Sequence, residues 1–131
     1  MKYFSINELC KSDTANKLGI DNTPNEEVKA NLIALIENVL DPLREWYGKP
    51  IYINSGFRCR ELNKAVGGVD NSFHLTGCAA DIDMGTKKEN KPIFDYIKDN
   101  VPFTELGFEG DGRWIHVAFV KGRDDKEVFY A

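Results

Sequence analysis

At 131 residues the chain is long enough for one domain, residues 1–131, with a core that needs no staples. Hydrophobic residues make up 42% and charged residues 29%, the ordinary balance of a globular protein in water. A net charge of −4 argues against nucleic acid or an anionic membrane surface as partner, and no apolar run is long enough to span a bilayer.

The opening Met1-Lys2-Tyr3-Phe4-Ser5 lacks the apolar core of a signal peptide, so synthesis in the cytoplasm is expected. Three cysteines, Cys10, Cys59 and Cys78, are an odd number without a secretory signal and are read as reduced thiols. Ser5 or Asn7 is suited to cap a short first helix. A long helix is predicted from Thr23-Pro24-Asn25-Glu26, with threonine as cap, proline in the first turn and glutamate closing a capping box. Its apolar positions Val28, Leu32, Leu35, Ile36, Val39, Leu40, Leu43 and Trp46 recur at three and four, and Gly48 ends it. Pro42 is expected to kink it near Leu40-Asp41.

Ile51 to Asn54 reads as a strand, Ser55-Gly56 as a turn, and Arg60 to Val66 as a short helix broken by Gly67-Gly68. Ala79 to Met84 alternates as a strand, with Ile82 and Met84 on one face and Asp81 and Asp83 on the other. Pro92 to Asn100 suits a helix. Glu105 to Glu109, Arg113 to Val120 and Glu127 to Tyr130 read as two or three antiparallel strands. The fold class is α+β: N-terminal helices packed on a mostly antiparallel sheet.

The chain has two histidines, His74 and His116. Together with one carboxylate they make a three-ligand set of the kind used by catalytic zinc sites, which leave a fourth position open. Asp111-Gly112 is a strong two-residue turn signal. With that turn Gly110 pairs with Arg113, Glu109 faces Trp114, and Glu109, Trp114 and His116 share one face. Glu109 then stands diagonal to His116, with roughly 7–8 Å between backbones. A three-residue loop would reverse the parity. Arg58 follows a strand and a tight turn, a position that aims a cation into a cleft, where its planar fork suits a carboxylate.

Three ordered motifs carry a resemblance. Ser55-Gly56-Phe57-Arg58, then Ser72-Phe73-His74-Leu75-Thr76-Gly77-Cys78-Ala79-Ala80-Asp81-Ile82, then Trp114-Ile115-His116-Val117 resemble the zinc D-alanyl-D-alanine carboxypeptidases. Phage L-alanyl-D-glutamate endopeptidases are relatives, and the hedgehog signalling domain shares that fold. The resemblance implies a hedgehog/DD-peptidase-like fold with zinc held by His74, Asp81 and His116. It implies that Arg58 steadies a substrate carbonyl or carboxylate and that Ser72 supplies a supporting hydrogen bond. Many relatives carry an acidic residue three positions before the last histidine, and here that position is Arg113. The subgroup with glutamate further upstream points to Glu109 as the general base, with Asp111 as the alternative.

Simpler readings stand beside these. Trp114 is a pocket wall or plain core, and Asp83 is solvated or supporting rather than a ligand. Cys78, among small neighbours, is a buried small residue rather than a thiolate ligand. The function expected is a monomeric zinc peptidase cutting the peptidoglycan stem peptide, of the D-Ala-D-Ala carboxypeptidase type. The alternatives are an L-Ala-D-Glu endopeptidase of the phage endolysin kind and a non-catalytic zinc-containing module. The place of action expected is the cell wall, reached after phage lysis or as part of a virion.

Overall fold

The computed structural model describes residues 1–131. The helices that supply the core gather on one face of a five-stranded sheet, and the other face carries the candidate site. Helix α1 (Ile6–Cys10) is capped by Ser5, whose hydroxyl accepts from the Glu8 amide at 3.1 Å. Helix α2 (Asp13–Leu18) was not legible in the sequence. It buries only Ala15 and rests on its caps, Ser12 at the start and Gly19 in the left-handed region (φ 69°) at the end.

The long helix runs in three pieces: α3 (Glu26–Leu35), a π-helical segment (Ile36–Leu40) and α4 (Asp41–Tyr47). Asn25, not Thr23, is its cap and accepts from the Val28 amide at 2.8 Å. Thr23 instead donates to Asp21 at 2.5 Å, and Glu26 pairs with Lys29 rather than closing a capping box. Asn25, extended at φ −81° and ψ 179°, is itself a strong capping residue, and the helix starts after it. The kink expected at Pro42 takes the form of the π segment, in which the Asp41 amide reaches back to the Ile36 carbonyl. Widening the turn by one residue lets the proline ring pass the preceding carbonyls. Leu32, Leu35, Ile36, Val39, Leu40 and Leu43 are fully buried. Trp46 departs from the expected stripe: it is 44% exposed and stacks on Tyr96 with ring centroids 4.1 Å apart.

Strand β1 (Ile53–Ser55) leads through a loop to α5 (Arg60–Ala65), a 3-10 turn (Phe73–Thr76) and β2 (Ala79–Ile82). Helix α6 (Lys87–Asn100) begins five residues before the expected Pro92, because Thr86 caps it and accepts from the Glu89 amide at 3.1 Å. Strands β3 (Glu105–Glu109), β4 (Trp114–Ala118) and β5 (Glu127–Tyr130) complete the sheet in the order β1-β2-β4-β3-β5. β5 corrects the expectation of an antiparallel end: it lies parallel to β3 on the far edge. Buried Thr104 directs that path, accepting from Val120 N at 2.9 Å and donating to Arg123 O at 2.7 Å. The chain is thereby turned beneath the start of β3 instead of folding back along β4.

The β3–β4 connection also differs from the two-residue turn. Gly110, Asp111, Gly112 and Arg113 form a four-residue loop, with the Gly112 and Arg113 amides both bonded to the Glu109 carbonyl at 3.0 and 2.9 Å. Three successive residues, Gly110, Asp111 and Gly112, hold φ of 58°, 55° and 88°, which curls the loop past the two-residue geometry. The even length preserves parity, so Glu109 faces Trp114 as expected.

Alternation along the strands divides the sheet. Ala80, Ile82, Leu106, Phe108, Ile115 and Val117 join the helices in one core cluster of 22 buried residues. Asp81, Glu105, Gly107, Glu109, Trp114 and His116 take the alternate positions and so lie on the opposite face.

Candidate metal centre

Asp81 on β2 and His116 on β4 are direct cross-strand partners. His74 reaches them from the 3-10 turn, which Ser72 caps by accepting from the His74 amide at 3.1 Å, the supporting role expected of that serine. Gly77, left-handed at φ 78°, ends the turn. The three ligand atoms, one per residue, lie within 4.8 Å of one another, and all three residues are buried or nearly so.

The proton positions follow from the partners. His74 Nδ1 lies 2.7 Å from the Gly56 carbonyl, which only accepts, so that nitrogen carries the proton and Nε2 presents its lone pair. Gly56 can stand there because it lacks a side chain: a Cβ would meet the Leu9 carbonyl oxygen at 2.2 Å. His116 Nε2 lies 2.7 Å from Glu105 Oε1, so that ring presents its Nδ1 lone pair. Both free nitrogens face Asp81 Oδ1 at 3.2 Å. Three acceptors therefore converge with no proton of their own between them, an arrangement that calls for a cation or an extra proton.

With a proton supplied in place of a cation, burial still opposes the charge on Asp81, but hydrogen bonds from the rings of His116 and His74 outweigh it and hold the carboxyl well below the usual range. Burial pulls His116 towards neutrality, and the Asp81 and Glu105 carboxylates more than reverse this, raising its pKa. A pair of imidazoles with one carboxylate suits zinc and its transition-metal neighbours rather than magnesium or calcium.

Arg58 stands beside the triad. Its Nε donates to Ser55 Oγ at 2.9 Å, Nη1 to Asn63 Oδ1 at 3.2 Å and Nη2 to Asp81 Oδ2 at 3.4 Å. Burial lowers its pKa from the ordinary arginine value, opposed by the charges of Asp81 and Glu109. A cavity of about 600 Å³ is lined by Arg58, His74, Asp81, Glu105, Glu109, Trp114 and His116. A family model described as Peptidase M15 matches residues 2–118.

The chain belongs to the peptidase M15 family. It is also similar to the zinc D-Ala-D-Ala carboxypeptidase of Streptomyces albus G, 38% identical over 78 residues, which cover 57% of this chain and 30% of that protein. The chain thus spans about 30% of the length of the relative it matches.

Within this M15 chain the sequence-derived candidates fall into two places. His74, Asp81, His116, Arg58 and Glu109 line one cavity. Asp111 does not: its carboxylate pairs with Lys87 at 2.9 Å and its side chain is 89% exposed. Arg113, at the position where many relatives are acidic, is exposed on the same loop. Trp114 is a wall of the cavity, and its indole donates to Glu109 Oε2 at 3.2 Å. Asp83 accepts from the Gly85 amide at 2.8 Å, away from the ligands, and Cys78 is buried. Sequence reasoning missed Glu105. The signal was present, since the same hairpin register that sets Glu109 diagonal to His116 sets Glu105 on its other diagonal.

Proposed function

We propose that this protein is a zinc-dependent peptidase that hydrolyses a peptide bond in the stem peptide of peptidoglycan, of the D-Ala-D-Ala carboxypeptidase type. The observation that carries the reading is the convergence of His74 Nε2, Asp81 Oδ1 and His116 Nδ1 in the cavity that Glu109 and Arg58 also line. His74, Asp81 and His116 would hold the metal. Zinc, when bound, supplies Lewis acidity, lowering the pKa of a water molecule towards about 7 and polarising the substrate carbonyl.

The remaining work belongs to side chains. Glu109, held by the Trp114 indole, takes the proton of the attacking water and returns it to the leaving nitrogen. Arg58 has five N–H donors, of which Ser55, Asn63 and Asp81 engage three. The two that remain serve the substrate's carbonyl oxygen or terminal carboxylate. The similarity to a zinc D-Ala-D-Ala carboxypeptidase supports both the metal and the substrate class, and with them action at the cell wall.

One observation favours a second reading, an L-Ala-D-Glu endopeptidase. A further cavity of about 380 Å³ shares Arg58, Asp81 and Trp114 with the first and extends to Lys11, Ser12 and Thr14. It gives room for substrate on both sides of Arg58. Incubating the zinc-loaded protein with purified peptidoglycan fragments, with and without chelator, and weighing the products distinguishes these. Chelator-sensitive loss of a terminal alanine is the expected result, and release of the stem peptide between alanine and glutamate would establish the endopeptidase. No product with zinc demonstrably bound would replace both with a non-catalytic zinc-containing module.

A further inference from the structure

We propose that Glu105 is a positioning residue that selects and strengthens the ring nitrogen His116 offers to the metal. The inference rests on reading the triad as a metal centre, and it assigns work to a carboxylate distinct from the proton-carrying Glu109. Its basis is the geometry around His116. Gly107 stands directly opposite His116 across the β3–β4 pair, and the room its missing side chain leaves is taken by the ring of Phe129. Glu105 reaches the imidazole from the diagonal position on β3, its Oε1 2.7 Å from His116 Nε2.

Phe129, brought in by the parallel strand β5, covers the pair. A Cβ on Gly107 would lie 2.3 Å from its ring, and its centroid is 6.1 Å from that of His116. The Glu105 side chain is 28% exposed and that of His116 11%, so the bond sits at the cavity wall with limited competition from water. Turning the imidazole over would exchange Nδ1 and Nε2 for ring carbons and lose the contacts to Asp81 and Glu105 together. With the ring held, the proton stays on Nε2 and Nδ1 remains a lone pair directed at the triad. A carboxylate at the outer nitrogen also makes the ring a stronger ligand. His74 receives the equivalent restraint from the Gly56 backbone carbonyl, beyond the reach of side-chain substitution.

Two carboxylates face one cavity, and their partners separate their roles. Glu105 is committed to a histidine N–H at 2.7 Å, whereas Glu109 meets only the Trp114 indole at 3.2 Å and stays available for proton transfer.

The test compares zinc affinity, by competition with a chromophoric chelator, and the visible spectrum of the cobalt-substituted protein across four forms. These are the wild type, Glu105→Ala, Glu105→Gln and His116→Ala, with Glu105→Ser standing in if the alanine variant fails to fold. Glu105→Ala is expected to bind zinc roughly 10–100-fold more weakly, with an altered cobalt spectrum. Glu105→Gln, whose amide oxygen accepts the same bond, is expected to recover most of that loss and to hydrolyse substrate at saturating zinc. Wild-type affinity in Glu105→Ala overturns the inference, and so does a Glu105→Gln protein that holds zinc tightly but has lost hydrolysis, which would make Glu105 the proton carrier. Undiminished affinity in His116→Ala as well would overturn the metal reading itself.

Discussion

Glu109 and Asp111 lie two positions apart in the chain and both are acidic, but their surroundings give them unequal chemistry. Glu109 ends β3 facing the cavity, whereas Asp111 sits on the loop crest and points to Lys87. A general base must reach the proton it removes before its pKa matters, and a surface ion pair of this kind contributes little. Glu109→Gln is therefore expected to lower kcat/KM by about 10²–10⁴ while zinc affinity stays within a few-fold of wild type. Asp111→Asn is expected to change kcat/KM less than twofold. Steady-state kinetics beside a metal titration check both, and the reverse pattern would move the base to Asp111. Glu109 was legible from hairpin parity, which survives the change from a two-residue to a four-residue loop because both lengths are even. Glu105 followed from the same register, yet its role was not legible. It depends on the bare Gly107 opposite His116 and on Phe129 from a strand whose position the local sequence does not encode.

At the scale of elements, the loop that sets Glu109 is held from helix α6. Asn90 is fully buried; its Oδ1 accepts from the Met84 amide at 2.8 Å and its Nδ2 donates to the Gly112 and Arg113 carbonyls at 3.0 and 3.2 Å. These bonds tie the end of β2 and the β3–β4 loop to one side chain. Removing it leaves buried backbone groups without partners, each costing about 1–3 kcal/mol. Asn90→Ala is thus expected to lower stability by roughly 3 kcal/mol in urea denaturation and to reduce kcat/KM as the loop loosens. A loss below about 1 kcal/mol would show that water replaces the amide. Helix α6 extends upstream of Pro92, the start its sequence suggests, because Thr86 and Glu89 supply a capping pair before it. The long helix is legible nearly end to end, since apolar positions at helical spacing outweigh a two-residue shift of its cap and a π-helical turn before Pro42.

For the whole molecule, the sheet separates two environments. One face closes the core with the helices, and the other gathers acceptors whose mutual repulsion a cation relieves. A ligand that binds the folded chain alone stabilises it by about 2.7 kcal/mol at a hundred times its Kd. Zinc added at that ratio is expected to raise Tm by on the order of 10 °C, and chelator to reverse the rise, as calorimetry would record. A Tm indifferent to zinc would mean that the triad is satisfied by protons alone.

The amino-acid sequence by itself determined the residue types of the candidate metal centre, the α+β class, the span of the long helix and the parity of the β3–β4 hairpin. Each of these depends on residues close together in the chain, where periodicity, caps and turn length act directly. Only the tertiary structure decided that Gly56 orients His74, that Asn90 anchors the β3–β4 hairpin, and that β5 runs parallel to β3 to lay Phe129 over Gly107. Those contacts join residues far apart in the chain, and they form only where sheet order and close packing bring the two segments together.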